Sequence, residues 1–305
     1  MKHLLKLQDL SPEEITRILD LADQLKYEKK HGIEHPHLKG KAVGLIFQKS
    51  STRTRVSFET GVHQLGGQPL FLSSSDLQIG RGEPVQDTAR VLSRYLDAIM
   101  IRTYGQDEVE DLAKYGSIPI INGLTDYCHP CQVLADLMTI REKFGKLEGL
   151  KMVYIGDGNN MANSLIVGGL KMGMDVAVAT PADHKPDPTV LEFAANYPDH
   201  FLWTSDPKEA IQEADVVFTD TWASMGMEAE KEERLKLFAP YQVNDDLLSL
   251  AKEGVMVQHC LPAYRGQEIT EKVFEDHADE IFEEAENRLH AQKAVMVLLL
   301  KDPQE

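Results

Sequence analysis

The chain has little cysteine, a deficit of basic residues against acidic ones, and no long apolar run in its 305 residues. Three cysteines, Cys128, Cys131 and Cys260, are too few and odd in number for a disulfide framework, which fits a reducing compartment. No stretch approaches the roughly 18 uninterrupted apolar residues of a membrane span. Met1 to Leu5 runs into acidic residues and a helix instead of a signal peptide's apolar region. A cytoplasmic protein is the expectation. With 32 Lys and Arg against 49 Asp and Glu, a formal net charge of −17, nucleic acid and anionic membrane are poor partners, since both need a basic footprint. An anionic small substrate would need a local basic pocket. Internal repeats, low-complexity tracts and a linker long enough to free one half from the other are also missing. What remains is an ordinary globular composition, 42% apolar, at a length suited to one large or two ordinary domains.

The pattern that is present is β-α alternation. Ser11, Pro12 and Glu14 read as a capping box opening a helix with Ile15, Ile18, Leu19, Ala22 and Leu25 at helical spacing. Apolar or β-branched runs follow at 42–47, 69–72, 98–101 and 118–121, separated by amphipathic segments such as 85–96 and 109–115. A long helix, 133–144, leads into a second series at 152–155, 176–179, 201–203, 216–219 and 255–258. The expected fold is therefore α/β: two domains, each a parallel sheet flanked by helices, divided near residue 145, with the active site in the cleft between them. The expected segments are 1–145, 146–285 and a C-terminal helix within 286–305 whose run Ala294 to Leu300 is too hydrophobic to lie exposed.

In open parallel sheets ligands bind beyond the carboxyl ends of the strands. After the first run stands Ser51-Thr52-Arg53-Thr54-Arg55, where a helix N-terminus and two guanidiniums can hold an anion. After the third and fourth runs come Arg102 and Asn122, and then Cys128-His129-Pro130-Cys131-Gln132. The second series supplies Gly156-Asp157-Gly158-Asn159-Asn160, then Asp220 with Ser224-Met225-Gly226, then His259-Cys260-Leu261-Pro262. The first half thus offers cations and donors, and the second offers polar and acidic groups suited to a cationic small molecule. Each residue taken singly has a plainer reading: Ser51 as a helix cap, Arg102 in a surface ion pair, Asp220 as a loop cap, Cys260 as a buried small hydrophobe. All of them falling on the same strand-end edge favours a site.

These motifs resemble those of the ornithine carbamoyltransferases, within the wider carbamoyltransferase family. Ser51 to Arg55 is similar to the family's carbamoyl-phosphate motif, His129 to Gln132 to its second motif, and His259 to Pro262 to its third. Asp220 to Gly226 resembles the segment that separates ornithine enzymes from those acting on aspartate or diamines, and similarity extends through Ser73 to Glu83 and Glu286 to Lys293. The resemblance implies that Ser51, Thr52, Arg53, Thr54, Arg102, His129, Pro130, Cys131, Gln132, Cys260, Leu261 and Arg288 bind carbamoyl phosphate. Gln78 would join them, reaching the site of a neighbouring subunit. Asn160, Asp220, Ser224 and Met225 would hold ornithine, and Arg53, Arg102, His129 and Cys260 would serve the chemistry. Gln48 and Tyr264 depart from the Glu and His of many members.

The expected reaction is attack of ornithine's uncharged δ-amine on the carbonyl of carbamoyl phosphate, giving L-citrulline and phosphate, a step of arginine metabolism that needs no metal or cofactor. By the same resemblance the protein is a homotrimer or an assembly of trimers. Putrescine is the alternative acceptor. A nicotinamide-dependent dehydrogenase is a distant reading, because Ile155-Gly156-Asp157-Gly158 lacks the further glycine at Met161 and the strand-end acid at Thr180. A zinc or redox centre on the cysteines would set two ligands side by side at His259 and Cys260, a poor geometry. A non-enzymatic anion sensor would not need every substrate position filled.

Overall fold

Helix α1, Pro12–Lys30, begins with a reciprocal pair of hydrogen bonds: the Glu14 N–H donates to the Ser11 hydroxyl at 3.2 Å, and the Ser11 N–H to the Glu14 carboxylate at 3.0 Å. Ile15, Ile18, Leu19, Ala22 and Leu25 form its buried stripe. The computed structural model describes residues 1–75, 77, 82–223 and 231–300. The chain forms two compact units, Met1–Met138 with Glu286–Glu305, and Thr139–Ala285.

In the first unit, β1 (Ala42–Phe47), β2 (Gln68–Ser73), β3 (Ala98–Arg102) and β4 (Ile120–Leu124) form a parallel sheet in the order β2-β1-β3-β4. Helices α2 (Thr52–Gln64), α3 (Val85–Leu92), α4 (Gln106–Tyr115) and the start of α5 (Pro130–Phe144) connect and flank it. The inner strands β1 and β3 are almost wholly apolar, as strands covered on both faces must be. The β4 edge is paired by the N-terminal segment: the Leu4 N–H donates to the Ile120 carbonyl at 2.9 Å and the Asn122 N–H to the Leu4 carbonyl at 2.8 Å.

In the second unit, β5 (Lys151–Ile155), β6 (Asp175–Ala179), β7 (Phe201–Thr204), β8 (Val216–Thr219) and β9 (Met256–His259) form another parallel sheet, ordered β7-β6-β5-β8-β9. Helices α6 (Asn160–Lys171), α7 (Pro188–Ala194), α8 (Pro207–Ala210), α9 (Lys231–Phe238), α10 (Asp245–Leu248), α11 (Glu271–Asp276) and the first turns of α12 (Ala278–Leu300) surround it. Strand β9 lies at the sheet edge, and two glutamates of α12 close it. The Val257 N–H donates to Glu280 at 3.0 Å and the His259 N–H to Glu284 at 2.9 Å. Four residues of helix rise about 6 Å and two of strand about 6.6 Å, so carboxylates at i and i+4 match amides at j and j+2.

Several boundaries differ from the sequence expectation. Strand β4 begins at Ile120 and runs through Asn122 and Gly123, because Pro119 has no N–H to give the ladder and Asn122, although polar, is fully buried. Helix α5 starts at Pro130, whose ring suits the first helical position, and α12 starts at Ala278. The compact units divide between residues 138 and 139, inside continuous α5, where no loop composition marks a change. Residues 286–300 group with the first unit, where Lys26 Nζ donates to Asn287 Oδ1 at 2.7 Å and Lys293 Nζ to Gln64 Oε1 at 3.1 Å.

Candidate active site

In the first unit the strand order reverses between β1 and β3, the switch point at which open parallel sheets place their ligands. Ser51 follows β1 and is the N-cap of α2: extended backbone turns its hydroxyl back to accept from the Thr54 N–H at 3.2 Å. Thr54 is thereby fixed one turn inside the helix with its hydroxyl oxygen at the centre of a donor cluster. That oxygen accepts from Ser51 Oγ at 3.1 Å, Arg288 Nη2 at 3.2 Å and Arg102 Nη1, at the end of β3, at 3.4 Å. A hydroxyl oxygen has two lone pairs, so the three donors share it, and the Thr54 hydrogen remains as a donor. Arg288 is held from its other side by Gln132 Oε1 at 2.6 Å, and Gln132 donates in turn to Asp136 at 2.8 Å.

His129 immediately precedes α5 and is buried. Burial, then the charges of Arg288, Arg102 and Arg53, hold its pKa well below the ordinary 6.5, so the imidazole is neutral. A neutral histidine donor among three guanidiniums suits an anionic ligand that also carries a carbonyl. Arg53 has no hydrogen-bond or ion-pair partner among the described residues, and Thr52 lies beside it, exposed, on the first turn of α2. Arg55, two residues on, is committed elsewhere: its guanidinium lies 3.6 Å over the Phe71 ring and pairs with Glu59 at 3.0 Å.

The second unit has its own switch point between β5 and β8. Asn159 caps α6 and Asn160 is the helix's first residue. Asp220 follows β8, and its Oδ1 accepts from the Thr221 N–H at 2.7 Å and the Cys260 thiol, after β9, at 3.2 Å. Leu261 has a left-handed backbone, φ 57°, and its N–H donates to His259 Nδ1 at 2.9 Å. The other ring nitrogen of His259 therefore carries the proton and donates to Glu268 at 3.0 Å, both side chains being buried. The loops bearing Asp157 and Trp222 are tied by Arg234, which pairs with the Asp157 carboxylate and donates to the Trp222 carbonyl.

Ser51, Thr54, Arg102, His129, Gln132 and Arg288 thus assemble in one unit, and Asn160, Asp220, Cys260 and Leu261 lie on the strand ends of the other. Gln78, Ser224 and Met225 lie outside the described residues. Pro130 opens α5, and the Cys131 thiol donates to the Asn122 carbonyl at 3.4 Å. The Cys128 and Cys131 thiols are both pushed up to about 12 by burial, so the C-x-x-C carries no ready thiolate. Among the described residues the metal-capable atoms near enough to share an ion belong to Asp220, His259 and Cys260, and each is engaged in the bonds above. Sequence reasoning missed Tyr154 and Arg234, and named Asn159 only within the run Gly156 to Asn160 without a role of its own. Only Asn159 left a signal, as a capping residue between a strand and a helix.

The carbamoyl-phosphate-binding domain of the aspartate/ornithine carbamoyltransferase family matches residues 2–142, and that family's Asp/Orn-binding domain matches residues 148–299. An ornithine carbamoyltransferase of Carboxydothermus hydrogenoformans is 56% identical over 303 residues, 98% of this chain and 97% of that protein. One from Pyrococcus abyssi is 55% identical over 303 residues, 98% of this chain and 96% of its own. The solved ornithine carbamoyltransferase of Pyrococcus furiosus superposes with a TM-score of 0.94 at 53% identity, covering 98% of this chain and 97% of that one.

Proposed function

Because the chain belongs to the aspartate/ornithine carbamoyltransferase family, we propose that it transfers the carbamoyl group of carbamoyl phosphate to the δ-amine of L-ornithine, giving L-citrulline and phosphate. The observation that carries this reading is the bearing of Arg53, Arg102 and Arg288 on a neutral His129 at the N-termini of α2 and α5. Arg53 and the first amides of α2 bind the phosphate, joined by Ser51 and Thr52. The Thr54 hydroxyl, Arg102 and His129 donate to the carbonyl oxygen as it gains charge in the tetrahedral species, and their geometry is already set before substrate arrives. Gln132 and Arg288 support them. Pro130 and the Cys131 main chain, with Cys260 and Leu261, complete the carbamoyl-phosphate contacts, together with Gln78 from a neighbouring subunit.

On the acceptor side, the Asp220 carboxylate takes ornithine's α-ammonium and Asn160 its α-carboxylate, with Ser224 and Met225 beside them. Cys260 lies next to the δ-amine. That amine attacks only when uncharged, so the rate rises with pH until it is deprotonated. The C–N bond forms to give the tetrahedral species, whose collapse breaks the C–O bond to phosphate, and the proton the amine gives up leaves with that phosphate. Transfer needs both half-sites to act on a single bound pair of substrates, and alignment alone is worth roughly 7 to 11 kcal/mol. We assign carbamoyl-phosphate binding to 1–145, ornithine binding to 146–285, and to 286–305 the return of the C-terminal helix to the first domain. We also assign a homotrimeric, cytoplasmic form. An acidic chain with three free cysteines supports the compartment. Citrulline formation measured with ornithine, putrescine, aspartate and N-acetylornithine in parallel tests the proposal. Ornithine should be preferred by orders of magnitude, and preference for another amine contradicts it.

A further inference from the structure

We propose that Asn159, backed by Tyr154, is a positioning residue that fixes the Asp220 carboxylate and thereby sets how tightly the second half-site holds its amino-acid substrate. The inference rests on the ornithine reading of that half-site. Tyr154 lies in β5, 1% exposed, and its hydroxyl donates to Asn159 Oδ1 at 3.3 Å. The same oxygen caps α6, accepting from the Met161 and Ala162 N–H groups at 2.9 and 3.2 Å. The two backbone donors on that amide oxygen leave a single orientation, because a flipped amide would set its NH2 against both of them. The amide nitrogen is thus aimed at Asp220 Oδ2, 3.0 Å away.

Burial, then the nearby Asp220, Asp157 and Cys260, raise the Tyr154 pKa well above the ordinary 10.0, so the phenol remains a donor at any working pH. The Asp220 oxygens accept from Asn159, from the Thr221 N–H and from the Cys260 thiol. A carboxylate has about four acceptor directions, so among the described residues one is left, on Oδ2 beside Asn159, for a ligand's ammonium. The other charged or titratable neighbours are already engaged: Asp157 with Arg234 and His184, and His259 with Glu268. The capping oxygen and the orienting nitrogen belong to one amide, which ties the start of α6 to the acid that meets the substrate.

Two substitutions separate capping from orientation. Asn159→Ser keeps a capping oxygen, but its one-atom-shorter side chain loses the amide N–H group that reaches Asp220 Oδ2. It should raise the ornithine KM by about tenfold to a hundredfold, the range expected for one lost hydrogen bond to a charged group, with the carbamoyl-phosphate KM within about twofold. Asn159→Asp also caps, but places a second carboxylate against Asp220, so the pair shares a proton and one of its pKa values rises. Below that value the protonated member again donates. The ratio of mutant to wild-type kcat/KM for ornithine should therefore climb as pH falls, a signature that loss of a cap would not produce. Tyr154→Phe should raise only the ornithine KM, by about twofold to fivefold.

An ornithine KM unchanged in Asn159→Ser, equal losses for both substrates, or a flat pH ratio in Asn159→Asp overturns the proposal. Asp220→Asn is run alongside. If it too leaves the ornithine KM unchanged, the ornithine reading of the half-site has failed and the positioning role falls with it. If Asp220→Asn weakens ornithine while both Asn159 variants do not, only the positioning role is overturned.

Discussion

Replacing Arg53 by alanine and, separately, Arg55 by alanine compares two arginines two positions apart with opposite commitments. Arg53 has no hydrogen-bond or ion-pair partner among the described residues, so its removal breaks no bond among them and stability should hold within about 0.5 kcal/mol. Its forked contact with a phosphate is two charge-assisted hydrogen bonds at about 1.5–3 kcal/mol each. Their loss, about 3–6 kcal/mol at about 1.4 kcal/mol per decade, lowers kcat/KM for carbamoyl phosphate by about 10² to 10⁴. Arg55 is spent on the Phe71 ring and on Glu59. Arg55→Ala should cost about 1–2 kcal/mol of stability and leave kcat/KM within about threefold. Citrulline kinetics over a range of carbamoyl phosphate at saturating ornithine, with thermal unfolding of each variant, reads both numbers. Arg53→Ala retaining a kcat/KM within tenfold of wild type, or Arg55→Ala losing as much activity as Arg53→Ala, would refute the assignment.

His129 stays neutral while the unfolded chain takes up its proton near 6.5, so the stability it lends is whole above that pH and shrinks as pH falls below it. Urea unfolding at about pH 7.5 and 5.5 should show wild type losing up to about 1.4 kcal/mol more than His129→Asn, and equal losses would contradict the neutral imidazole. Glu284→Ala should destabilise the protein by about 1–3 kcal/mol by leaving the buried His259 amide of edge strand β9 without its acceptor, with Glu284→Gln costing less than half as much. Equal effects of the two in denaturant unfolding would show that the acceptor is not what matters. Iodoacetamide at about pH 8 should label Cys260 alone in the native protein, because the Cys128 and Cys131 thiols are buried and pushed up to about 12, and all three in urea. Mass spectrometry showing Cys128 labelled as fast as Cys260 would contradict this.

The local grammar of the fold was legible in sequence, and long-range pairings were not. The capping box at Ser11 and the N-cap at Ser51 depend on neighbours three residues apart, so periodicity and residue type located them. The inner strands β1, β3, β5 and β8 stood out as short apolar runs, and the residues after them became the candidate site. Edges were harder: β4 includes a fully buried Asn122 whose amide nitrogen donates to Leu5 and Gln106, partners that no window around it contains. The cluster at Thr54 joins residues 234 apart, through Arg288, and the Glu284 contact to β9 spans 25. Motif resemblance named Arg288 but could not say that it bonds Thr54 and Gln132. The motif resemblance pointed to Asn160, and the neighbouring Asn159 is explained locally as the cap of α6. Only the placement of Asp220 beside it shows the second task.

The proposed activity is the transfer of one carbamoyl group to one nitrogen. Purified protein given ornithine and carbamoyl phosphate labelled with ¹³C at the carbonyl should convert the label into a single ureido carbon bonded to the δ-nitrogen, read by NMR, with phosphate released in equal amount. Phosphate release that does not depend on ornithine, or a carbamoyl group found on any other nitrogen, would contradict it.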